Sequence, residues 1–113
     1  ENDMRTEITS EVAALADQFI EMANGMCDEQ KTAEVGLALA FAAARFEAYM
    51  VSCMGADLES FQRERATGHE YFTRQFHALL QDNLDEYESK KVQSLKYARF
   101  MKDRSANGEG EAG

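Results

Sequence analysis

The stretch TAEVGLALAFAAARFEAYMVSCMG, residues 32–55, decides the fold. Val35, Leu39, Ala42, Phe46, Tyr49 and Cys53 recur at steps of three and four, one stripe of an α-helix. Leu37, Phe41, Ala44 and Ala48 fall on another side, so the helix is apolar over much of its circumference. Such a helix is expected at the centre of a packed structure, not at its edge. Ala38, Ala40, Ala42, Ala43, Ala44 and Ala48 are small enough to let neighbouring helices approach closely. Thr32 is the expected cap, and Gly55 the expected end.

Before this helix, Ile8, Val12, Leu15, Phe19, Met22 and Met26 form a second helical stripe. Ser10 reads as its N-cap with Glu11 in the first turn, and Gly25 as a left-handed stop. Asp28 to Thr32 reads as a short polar connection. After it, Asp57 to Phe61 opens a third helix. Gly68 then either breaks that helix or marks a close contact, because a mid-helix glycine costs about 1 kcal/mol. Phe72, Phe76, Leu79, Leu80, Leu84 and Tyr87 keep helical spacing. With no proline in the chain and no further glycine before Gly108, the helix runs on through Val92, Leu95, Ala98 and Met101, or turns near Asn83 or Ser89. Strand alternation and hairpin turns are missing. The expected class is all-α, a small bundle of three main helices plus a basic C-terminal helix or helix extension. Residues 1–9 are expected to fray, 10–104 to form one helical domain, and 105–113, with three glycines, to be disordered.

The chain has 113 residues, enough for one modest core. Cys27 and Cys53 are too few for a disulfide scaffold, and a reducing, cytoplasmic setting fits them. Cys53 lies on the core stripe, which leaves Cys27 as the more exposed of the two. The longest uncharged run, Val35 to Ala44, is about half a membrane span, so no membrane partner is expected. No signal peptide is read; the start at Glu1 instead of methionine suggests a cropped or processed chain.

Charge is segregated. Residues 1–88 carry eighteen acidic and six basic side chains. Residues 89–104 reverse the sign, with Lys90, Lys91, Lys96, Arg99, Lys102 and Arg104 against Asp103. The basic helix has three readings: packing on the acidic body of its own or a sister chain, docking to an acidic protein, or contact with nucleic acid or anionic lipid. The net charge of −9 argues against the last, although Tyr97 and Phe100 between the cations would suit base stacking.

Catalytic and metal patterns fail one by one. A di-iron bundle needs Glu-x-x-His, but Ala66 and Arg74 precede His69 and His77 by three. His69-Glu70 lacks the second histidine of a zinc protease, because position 73 is Thr73. Neither cysteine has the surroundings of a nucleophile, and no phosphate loop exists. No catalytic residue, metal or cofactor is therefore assigned. Polar residues in apolar company are the remaining leads. Arg45 and Asp17 both fall on apolar faces, which predicts an interhelical ion pair from Arg45 to Asp17 or Glu21. Their alternative is a ligand pocket formed by Arg45, Asp17 and Asn24. Arg65 is expected at a stripe edge, and Met22, Met26, Met50, Met54 and Met101 as core filling in preference to an adaptable binding face.

Ala23-Asn24, Ala42-Ala43-Ala44-Arg45-Phe46, Tyr71-Phe72 through Phe76, Asn83-Leu84 and Tyr87 resemble a family of small proteobacterial proteins catalogued as a domain of unknown function. The resemblance spans about residues 10–88 and excludes the basic segment. It implies a bacterial protein and transfers no activity or site residue.

These readings favour a helical adaptor or regulator acting through protein–protein contacts, with a homodimer as its simplest assembly. A small-ligand or metal-binding bundle using Arg45, Asp17, Asn24 and His69 is the alternative, followed by weak nucleic-acid binding through the basic helix.

Overall fold

The computed structural model describes residues 7–28 and 31–112, with side chains as far as 105. The protein is all-α: α1 spans Ser10–Met26, α2 Thr32–Ser52 and α3 Leu58–Ala112. Among the described residues there is no strand. Two compact units divide the chain, Glu1–Gln75 and Phe76–Gly113. The second unit contains only the continuation of α3.

The helix ends follow side-chain chemistry more finely than the sequence indicates. Thr9, not Ser10, caps α1, its Oγ1 accepting from the Val12 amide at 3.2 Å. Gly25 does not stop that helix: no described glycine has a positive φ, and α1 continues through Met26 to a C-cap at Cys27. Thr32 is the first residue of α2, not its cap. The turn before α2 is held by Asp28, whose Oδ1 accepts from the Lys31 amide at 3.0 Å. The Thr32 hydroxyl donates to the Asp28 carbonyl at 2.9 Å. Helix α2 closes at Ser52 with Cys53 as its C-cap, before Gly55 is reached.

Gly55 instead permits a tight turn. A Cβ there would meet Ser60 Cβ at 2.7 Å and the Phe61 amide nitrogen at 3.0 Å. Immediately after it, Asp57 Oδ1 accepts from the Ser60 amide at 2.9 Å and opens α3. These bonds hold the Asp57 carboxyl below its ordinary pKa, the Ser60 side chain contributing most.

Gly68 neither breaks α3 nor bends it into a turn. A Cβ at Gly68 would lie 2.7 Å from Val51 Cγ2, so the absent side chain is what lets Val51 of α2 seat on α3. Val51 is the buried residue of the described chain, 7% exposed. Phe61, Glu64, Gly68, Phe72 and Gln75 recur on one face of α3 and are half buried. Arg65, expected at the edge of a stripe, is exposed, while Glu64 takes the half-buried place beside it.

Past the first unit there is neither a turn near Asn83 or Ser89 nor a separate fourth helix. Asn83 is accommodated inside the helix, its Nδ2 donating to the Leu79 carbonyl at 2.8 Å. Residues 105–112, read as disordered from their glycines, continue α3. Of the N-terminus expected to fray, residues 1–6 lie outside the described residues, as do Glu29, Gln30 and Gly113.

Candidate functional site

The polar residues singled out in sequence do not converge. Asp17, Glu21, Asn24 and Arg45 are all exposed, although α1 and α2 pack against one another. Among the described residues no ion pair joins Arg45 to Asp17 or Glu21. The reason is structural: Arg45 lies outside the faces of α2 that meet a neighbour, so its charge stays in water and needs no buried partner. His69 and His77 are exposed on α3. Among the described residues no three His, Cys, Asp or Glu side chains stand close enough to share a metal.

The cysteines exchange the places expected of them. Both are free thiols, but Cys27 is half buried at the end of α1, whereas Cys53 is exposed. Cys53 lies one turn after Tyr49, and its thiol raises the Tyr49 phenol above its ordinary pKa, chiefly through a hydrogen bond. Besides Glu64, sequence reading missed the half-buried carboxylate of Glu47, whose pKa burial pushes up. It precedes Val51 by one helical turn, a position that could have been read from the spacing once Val51 was known to be covered.

What the structure does present is apolar surface. Twenty-five large apolar side chains are exposed among the described residues. In α1 the expected core stripe lies open: Leu15 is 57% exposed, Phe19 62% and Met22 61%. In α2, expected to be central, Leu37 is 73% exposed, and Phe41 and Phe46 are each 63%. The methionines read as core filling, Met22, Met26, Met50, Met54 and Met101, are exposed as well. The periodicity identified the apolar faces correctly, but the chain does not cover them itself. By length and composition α2 could cross a membrane, although Arg45 and Glu47 sit within it.

The basic residues Lys90, Lys91, Lys96, Arg99, Lys102 and Arg104 all stand exposed on α3. Lys90 reaches back to Glu86 at 3.5 Å and lies 5.0 Å from the centre of the Tyr87 ring. Similar one-turn pairs join Arg63 to Glu59 at 3.6 Å and Arg74 to Glu70 at 2.6 Å. Pairs of this exposed kind contribute a few tenths of a kcal/mol each, enough to favour a long helix but not to hold a tertiary fold.

The model of a family described as a protein of unknown function, DUF3144, matches residues 13–88. The chain belongs to the DUF3144 family. The match covers about two thirds of the chain and ends where the charge of α3 changes sign. It takes in most of α1, all of α2 and the first half of α3, and leaves the basic segment of this DUF3144 protein outside. No curated protein and no solved structure matches the chain.

Proposed function

We propose that this DUF3144 protein is a helical interaction module that self-associates, most simply as a homodimer, and acts as an adaptor or regulator through protein–protein contacts. The exposed apolar faces of α1 and α2 carry this reading. An obligate dimer buries a largely apolar face on each copy, and the faces that carry Leu15, Phe19 and Met22 on α1 and Leu37, Phe41 and Phe46 on α2 are exposed. Leaving faces of this size in water would forfeit most of the hydrophobic free energy on which a chain of 113 residues depends.

A second copy is favoured as the first occupant because it presents the same faces at the same concentration, and closed two-fold pairing needs no other component. Sedimentation equilibrium from 1 to 100 µM tests the reading. A mass of at least two chains is expected. A monomer across the range, with its helicity intact, would overturn it. A monomer that enters solution only with lipid or detergent would overturn it as well, and would assign α2 to a membrane.

A further inference from the structure

From Phe76 onward α3 has no neighbour within its own unit, yet it keeps an apolar stripe. At 100° per residue, Phe76, Leu80, Leu84, Tyr87, Leu95 and Met101 fall within a sector about 120° wide. All six are exposed, Leu84 58%, Tyr87 62% and Leu95 61%. A lone helix in water does not maintain such a stripe by propensity, because most helical stability comes from packing an amphipathic face. Something must lie along it.

The charge pattern selects the occupant and its direction. Residues 76–88 carry Asp82, Asp85, Glu86 and Glu88 and no lysine or arginine. Residues 89–104 carry six cations and one carboxylate. The sign therefore changes at the midpoint of the stripe. A second copy laid parallel would set acid against acid and base against base along the whole contact. Laid antiparallel about a two-fold axis near residue 89, each acidic half meets a basic half.

We infer that residues 76–104 of α3 pair antiparallel with the same residues of a second copy. This inference rests on the self-association proposed above and specifies its geometry. In that pairing Leu84 lies opposite Leu95 of the other copy. Lys91, which interrupts the stripe between Tyr87 and Leu95, meets Glu88 from across the axis, twice by symmetry. The exposed Lys91 thereby gains the carboxylate that its position in an apolar stripe calls for.

Spin labels on the full chain test the direction, with Cys27 and Cys53 replaced by serine and one cysteine placed at Ser89 or at Ser105. At 1.5 Å per residue, antiparallel pairing brings the Ser89 labels together and holds the Ser105 labels about 45 Å apart. Short distances at both positions would mean parallel pairing and overturn the inference. A dimer with no short distance at Ser89 would also overturn it, by assigning the contact to α1 or α2, and would leave self-association standing. No dipolar signal from a monomeric chain would overturn both. Charge reversal supplies a second readout in case the labels disturb folding. Glu88→Lys and Lys91→Glu are each expected to weaken the dimer roughly tenfold, and E88K/K91E to restore it, because antiparallel pairing sets residue 88 against residue 91 of the other copy, so either change turns an attraction into a repulsion and the double change turns it back. Tighter association of the Lys91→Glu chain would contradict it.

Discussion

Replacing Gly68 by alanine should destabilise the protein, while the same replacement at Gly36 should stabilise it. Both glycines lie inside helices, and alanine gains about 0.5–1 kcal/mol over glycine in a helix interior. At Gly36 nothing stands within 4 Å of the new Cβ, so that gain should appear undiminished. At Gly68 the Cβ would lie 2.7 Å from Val51 Cγ2. Carbon atoms at rest stand about 3.5–4.0 Å apart, so the overlap approaches 1 Å. Valine is stiff at χ1, and Val51 is buried, so the strain must be relieved by parting α2 from α3. Overpacking of this kind costs about 1–3 kcal/mol, which outweighs the helical gain and leaves a net loss of up to about 2 kcal/mol. The two variants should thus differ by roughly 1–3 kcal/mol in opposite directions. Urea unfolding followed by helical circular dichroism measures this, at one fixed protein concentration because association shifts the midpoint. In a Val51→Ala background, Gly68→Ala should become stabilising, since the clashing methyl is gone. Equal stabilisation by Gly36→Ala and Gly68→Ala in the natural background would refute the close seating of α2 on α3.

Three further outcomes follow from the ends and the seam of the helices. Glu47 has a folded pKa raised by burial, so its ionisation penalises the folded state. Stability should fall as pH rises from 4.5 through that raised value, and Glu47→Gln should flatten this dependence and be the more stable at pH 7, by less than about 1 kcal/mol because the half-buried carboxylate keeps part of its hydration. Asp57 has the opposite sign: its lowered pKa supports the fold above pH 3.8, and that support should be lost as acid titrates the folded group, a loss that Asp57→Asn should remove. Thr9→Ala should cost about 1 kcal/mol of α1 stability, seen as faster amide exchange in its first turn, whereas Ser10→Ala should have little effect.

Which faces are apolar was legible in the sequence; what covers them was not. The steps from Val12 to Met26 and from Val35 to Cys53 identify α1 and α2 because a helix repeats every 3.6 residues whatever it packs on. The same steps made Phe19, Leu39 and Phe46 look like core, and they are exposed, because periodicity records an apolar face and not the molecule that meets it. The cap of α1 moved by one residue to Thr9, since Thr9 and Ser10 could each cap and only local geometry chooses between them, whereas α2 takes Lys31 at its N-cap without a side-chain capping bond. Gly68 was legible only as a pair of alternatives, and the position of Val51 decided between them. The expected Arg45–Asp17 pair did not form because a charged residue on a mixed face needs a partner only when water is excluded, and here it is not.

The central claim is that the fold is completed by a second copy, and the dependence of the thermal midpoint on protein concentration tests it most directly. Unfolding of a dimer to separated chains obeys mass action, so the midpoint should rise steadily between 1 and 100 µM. A midpoint constant over that range, with a monomeric mass on both sides of the transition, would contradict the account.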